Sequence, residues 1–77
     1  MVYAAHLKGE KSPWDVNLTK PAAFLLGNEA RGLSEETACL ADQYIKIPIP
    51  GKAESYNLSI AAGILMYETM RQRMLLK

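Results

Sequence analysis

The chain has 77 residues and a mass of 8.5 kDa, which allows one small domain or a portion of one. Hydrophobic residues make up 49% and charged residues 22%, a globular balance that excludes a disordered or collagen-like chain. Nine basic residues against eight acidic leave a net charge of +1, too little for a segment that grips nucleic acid by charge alone. The single cysteine, Cys39, excludes an internal disulfide framework and an all-cysteine metal site. Set among Ala38, Leu40 and Ala41, it is expected to be a buried, inert thiol. No apolar run reaches the roughly 18 residues of a membrane span. The longest, Ile60 to Tyr67, is interrupted by Gly63. The opening residues lack the basic start and long apolar middle of a secretory signal. The expected setting is a reducing cytoplasm, with no membrane and no metal.

In chain order, Met1 to Leu7 reads as a strand. The stretch Lys8-Gly9-Glu10-Lys11-Ser12-Pro13 is a polar turn. Trp14 to Leu18 fits a strand edge or a docked loop. Ala22-Ala23-Phe24-Leu25-Leu26, stopped by Gly27, suits a strand buried on both faces, as in parallel sheets. Ser34 before Glu35 and Glu36 is a helix start, with the cap hydroxyl and two acids suited to the exposed N–H groups; the helix should reach about Ala41. Tyr44 to Ile49 alternates, with Ile45, Ile47 and Ile49 on one face and Tyr44, Lys46 and Pro48 on the other. A last helix should start near Ser55 to Asn57 and end near Met74. It is apolar nearly all round from Leu58 to Tyr67, which predicts burial in a core or an interface. Its end, Arg71-Gln72-Arg73, suits a solvated turn. The order strand, strand, helix, strand, helix is an α/β pattern.

Two loops follow strands and lead into helices, the place where open parallel sheets bind ligands. The first runs from Leu26 to Ser34 and carries Gly27 and Gly32, which permit close backbone approach. The second runs from Ile47 to Asn57, stiffened by Pro48 and Pro50 and turned by Gly51. Taken singly, each feature has a plain structural use. A Gly-Asn-Glu turn connects strand to helix, Ser55 or Asn57 caps a helix, and Pro-Ile-Pro-Gly stiffens a loop. His6 is isolated and reads as structural or exposed. The chain shows no Ser/His/Asp set, no metal-ligand cluster and no Walker-type loop.

Together and in this order the loops are specific. Leu25-Leu26-Gly27-Asn28-Glu29-Ala30-Arg31-Gly32-Leu33-Ser34 resembles the second motif of the SpoU/TrmH branch of the SPOUT RNA methyltransferases. Ile47-Pro48-Ile49-Pro50-Gly51, followed by Glu54-Ser55-Tyr56-Asn57-Leu58-Ser59-Ile60-Ala61-Ala62, resembles the third. Ala30 stands where a glycine is common and Tyr56 where a leucine is common. The resemblance implies the C-terminal half of a trefoil-knotted, mostly parallel α/β domain over residues 1–77, an exception to the rule of unknotted chains. It implies S-adenosylmethionine as cofactor, held by Leu26, Gly27, Asn28, Gly32, Ile47, Ile49, Gly51, Ser55 and Leu58. Glu29, Ser55 and Asn57 match the family's motif glutamate, serine and asparagine, and are the implied catalytic residues. The implied partners are rRNA or tRNA, methylated at ribose 2′-hydroxyls, and a second copy of the chain in a homodimer. The family's first motif, Asn-x-Gly-x-x-x-Arg, is absent from these residues, so the expectation is a C-terminal portion that is catalytically incomplete alone. The alternative is a non-catalytic dimerisation or RNA-binding remnant of the same fold.

Overall fold

A computed structural model describes residues 1–6, 8–27, 32–48 and 57–76. Three strands, β1 (Val2–Ala5), β2 (Ala23–Leu25) and β3 (Gln43–Ile45), form one parallel sheet in the order β2-β1-β3. The register sets Val2 against Ala23 and Ala4 against Leu25 on one side of β1, and Ala4 against Tyr44 and Ala5 against Ile45 on the other. Two helices complete the described elements: α1 (Glu35–Ala38) and α2 (Leu58–Met74).

The core lies on one face of the sheet. Strand alternation puts Tyr3, Phe24 and Ile45 on that face, and the rings of Tyr3 and Phe24 stack at 5.9 Å. Ala61 and Leu65 of α2 close over them, together with Val16, Leu18 and Ile47. Ala4, on the opposite face, is also fully buried, as is Ala38 of α1. The central strand is therefore covered on both sides, as an α/β arrangement requires.

Several sequence expectations change here. Of the two readings of Trp14 to Leu18, the strand edge falls and the docked loop holds: Pro13–Asp15 is a 3-10 turn, and Val16 and Leu18 then dock their side chains into the core. Strand β2 is not buried on both faces, because the sheet order puts it at an edge, where Ala23 is exposed and Phe24 and Leu25 are half-covered. Helix α1 is one turn long. Ser34 caps it as expected, its Oγ accepting from Thr37 N–H at 3.2 Å. So short a helix turns only Ala38 inward and leaves Cys39 exposed, not buried. Strand β3 stops at Ile45, although the alternation continues: Ile47 is buried while Lys46 and Pro48 are exposed.

The chain between β1 and β2 makes an unusual passage. His6 N–H donates to Ile45 O at 2.9 Å on the β1 side of β3, while Lys46 N–H donates to Lys11 O at 2.8 Å on the other side. Lys11 thus forms a parallel bridge with Ile45 at the outer edge. Between these contacts Gly9 lies directly on the β3 backbone. A Cβ there would sit 2.5 Å from the Ile45 carbonyl carbon and 2.7 Å from Lys46 N, so only glycine fits without moving main chain.

The end of α2 is not simply solvated. Gln72 Oε1 accepts from Leu18 N–H at 2.7 Å, and its Nε2 donates to Val16 O at 3.1 Å and to Pro13 O at 3.4 Å. Arg73 donates to Leu18 O and Lys20 O, both at 3.1 Å. Glu68, buried on the same face, accepts from Arg71 Nε and Nη2 at 2.8 Å and from Gln72 Nε2 at 2.8 Å. The Arg71 guanidinium holds the Glu68 carboxyl below the ordinary glutamate value; burial opposes this, and Gln72 adds to the lowering. A lowered folded-state pKa stabilises fully above the unfolded value and is lost as pH falls through the folded one. Wild-type urea midpoints should therefore fall more steeply than those of Glu68→Gln once the pH drops below the ordinary value of 4.5. Parallel curves for the two proteins would show that this ion pair adds no pH-dependent stability.

Candidate functional site

Parallel pairing brings the ends of β2 and β3 to the same edge of the sheet, with β1 between them. Two strand spacings separate them, about 10 Å. Both candidate loops leave from this edge. Leu26 packs against the core cluster that contains Ile47, so the first residues of the two loops share one apolar floor.

The first loop is pinched shut. A Cβ on Gly27 would overlap the carbonyl group of Gly32 and the amide nitrogen of Leu33. The chain leaves at Gly27 and returns against it at Gly32. Gly32 has φ +68°, a left-handed conformation that disfavours side chains, and among the described residues no atom lies within 4 Å of its missing Cβ. One glycine permits the two ends of the loop to meet, and the other supplies the left-handed turn beside it.

The second loop begins at Ile47, whose side chain is committed to the core and only 9% exposed. Its contribution to a ligand would come from the main chain. The loop ends at Asn57, which caps α2: Oδ1 accepts from Ser59 N–H at 2.8 Å, and Ala61 N–H donates to Asn57 O at 2.9 Å. The asparagine carbonyl is thereby fixed at the start of the helix. Leu58 follows in the first turn, half-buried. Asn28, Glu29, Ile49, Gly51 and Ser55 lie outside the described residues.

A flat, neutral base with a charged tail needs apolar walls and backbone hydrogen-bonding groups. Leu26, the Gly32 backbone and the chain at Ile47 provide groups of these kinds along one edge, so the described residues fit such a cofactor. Among the described residues there is no cluster of three or more metal-ligating side chains, and no helix long and apolar enough to cross a membrane.

Sequence reasoning missed a second group at this edge. The rings of His6 and Tyr44 stack at 4.5 Å with an interplanar angle of 18°. His6 reads as isolated in the sequence because its neighbour is 38 residues away. The available signal was alternation: His6 follows Ala4 by two residues, and Tyr44 opposes Ala4 in the register.

Residues 1–67 match the model of the SpoU rRNA Methylase family. Over 74 residues the chain is 45% identical to the tRNA (guanosine(18)-2′-O)-methyltransferase of Thermus thermophilus, covering 95% of this chain and 38% of that protein. The structure of the A. aeolicus TrmH/SpoU tRNA modifying enzyme superposes with a TM-score of 0.83 at 42% identity, over 95% of this chain and 38% of that one. The SpoU methyltransferase AviRb from Streptomyces viridochromogenes, in complex with the cofactor AdoMet, gives 0.86 at 36% identity, over 95% and 28%. The chain belongs to the SpoU methylase family. It spans less than two-fifths of the length of these relatives.

Proposed function

We propose that this chain is the S-adenosylmethionine-binding portion of an RNA ribose 2′-O-methyltransferase acting on tRNA or rRNA in the cytoplasm. The observation that carries the reading is that both motif loops leave from one edge of a parallel sheet, the ends of the first meeting at Gly27 and Gly32. The AdoMet complex of AviRb, similar over 95% of this chain, supports the cofactor. The Thermus relative supports an RNA ribose as acceptor.

In this reading Leu26, Gly27, Asn28, Gly32, Ile47, Ile49, Gly51, Ser55 and Leu58 hold the cofactor, and Glu29, Ser55 and Asn57 form the catalytic group. When bound, the cofactor supplies a methyl group already activated by its sulfonium. The chain's task is then alignment, which stiff loops on a sheet edge serve well. The ribose hydroxyl must also lose its proton to attack. These 77 residues hold no Asn-x-Gly-x-x-x-Arg segment. In this reading the 77 residues are catalytically incomplete by themselves; the second reading is a non-catalytic dimerisation or RNA-binding module of the same fold. The passage of Gly9 to Lys11 across β3 supports the threaded topology of the family, and the exposed apolar side of α2 supports a homodimer.

Calorimetric titration with S-adenosylmethionine tests the proposal. Wild type should bind, and Gly27→Ala should weaken binding about tenfold or more, because the new Cβ forces the pinch apart. Lys20→Ala, before the opposite end of β2, should bind as wild type does. A folded wild-type sample that binds no cofactor at millimolar concentration would leave the non-catalytic reading in place.

A further inference from the structure

The stacked His6–Tyr44 pair has two features that a purely packing role does not require. Both side chains remain partly exposed, and exposed lysines stand beside them. Lys46 follows Tyr44 by two residues and so lies on the same side of the chain. Lys8 follows His6 by two residues across the turn, and its N–H donates to His6 Nδ1 at 3.1 Å. With Nδ1 accepting that bond, the neutral ring carries its proton on Nε2. Lys11 is left out of the group, because it lies on the outer flank of β3, bridged to Ile45, away from the side that faces β1.

Aromatic faces flanked by cations suit an unpaired nucleotide strand: the rings take a base by stacking, and the ammonium groups take adjacent phosphates. An acidic peptide would use the lysines and leave the rings without a role. The patch lies at the edge of the sheet from which both motif loops leave. We propose that His6, Tyr44, Lys8 and Lys46 form a contact surface for unpaired RNA beside the cofactor edge. The inference deepens the methyltransferase reading and rests on it for the identity of the nucleic acid.

The test is fluorescence anisotropy with a labelled, unstructured RNA oligonucleotide, run beside calorimetry with S-adenosylmethionine. Tyr44→Ala and His6→Ala should each weaken RNA binding about fivefold or more, the loss of one stacked base. The double variant Lys8→Ala with Lys46→Ala should lower the slope of log affinity against log salt by about 1.4, the value for two phosphate contacts on a single strand. Lys20→Ala should change neither quantity. All variants should keep wild-type cofactor affinity. RNA affinity unchanged in the ring and lysine variants overturns the surface while leaving the cofactor reading intact. An equal loss in Lys20→Ala, or equal competition by an acidic peptide, also overturns it. Wild type that binds RNA through these residues but no cofactor keeps the surface and removes the methyltransferase reading.

Discussion

Gln72→Ala should be among the most destabilising single changes in the protein. The side chain joins the last turn of α2 to the backbone of residues 13–18 through three hydrogen bonds. Leu18 is fully buried, so removal of the amide leaves its N–H unpaired away from water. A buried backbone group without a partner costs about 1–3 kcal/mol, and Val16 O loses its partner at the same time. The sum, roughly 2–4 kcal/mol, is a large part of the total stability of a domain this size. The midpoint of thermal unfolding should fall by about 10–20 °C. Arg73→Ala should cost less, because of its two carbonyl partners only that of Leu18 is withdrawn from water, while that of Lys20 is exposed. A midpoint within a few degrees of wild type for Gln72→Ala would show that the clasp does not hold residues 13–18 to the helix.

If the proposed homodimer forms through α2, the pair Tyr67→Glu with Met70→Glu should convert it into a monomer. Helix α2 buries Ala61, Leu65 and Glu68 against the rest of the chain. Its other side exposes Ile60, Tyr67, Met70 and Met74, with Gly63 between the first two. The positions 60, 63, 67, 70 and 74 alternate three and four residues apart, the spacing of a seam that meets another helix. Trp14 stands across a groove of about 580 Å³ from Ile60 and Tyr67, and it is 53% exposed. A second copy laid along this seam would remove large apolar side chains from water, each worth about 1.5–3 kcal/mol when fully buried. Two carboxylates per chain at the centre would have to be desolvated opposite their symmetry mates. Dimer affinity should drop about 100-fold or more, read as a change from dimer to monomer in sedimentation velocity. A wild-type protein that sediments as a monomer at tens of micromolar would remove the dimer from the proposal.

Local chemistry made much of the fold legible. Ser34 and Asn57 announce helix starts because a cap is a contact within three residues, and both caps are made. The isoleucines at 45 and 47 announce a buried face because alternation is a property of the strand itself. What stayed hidden depends on residues far apart in the chain. Five apolar residues from Ala22 to Leu26 do not tell whether their strand is central or at an edge, and β2 proved to be at an edge. Cys39 has apolar neighbours in sequence, yet a one-turn helix rotates it outward. Gln72 and Arg73 read as solvated because their partners lie more than 50 residues upstream. For the site, the glycines at 27 and 32 and the cap at 57 were legible as loop chemistry. The stacking of His6 on Tyr44 needed the parallel register before it could be seen.

The crossing at Gly9 bears on how the molecule comes apart. An edge strand normally peels away because one flank is open. Strand β3 is flanked by β1 on one side and by Lys11 on the other, with Gly9 laid over its end. It cannot leave until the segment preceding β2 has moved. The Lys46 amide, bonded to Lys11 on that outer flank, should therefore exchange its proton with solvent only when this overlying segment lifts, well after the open margin of β2 has begun to fray.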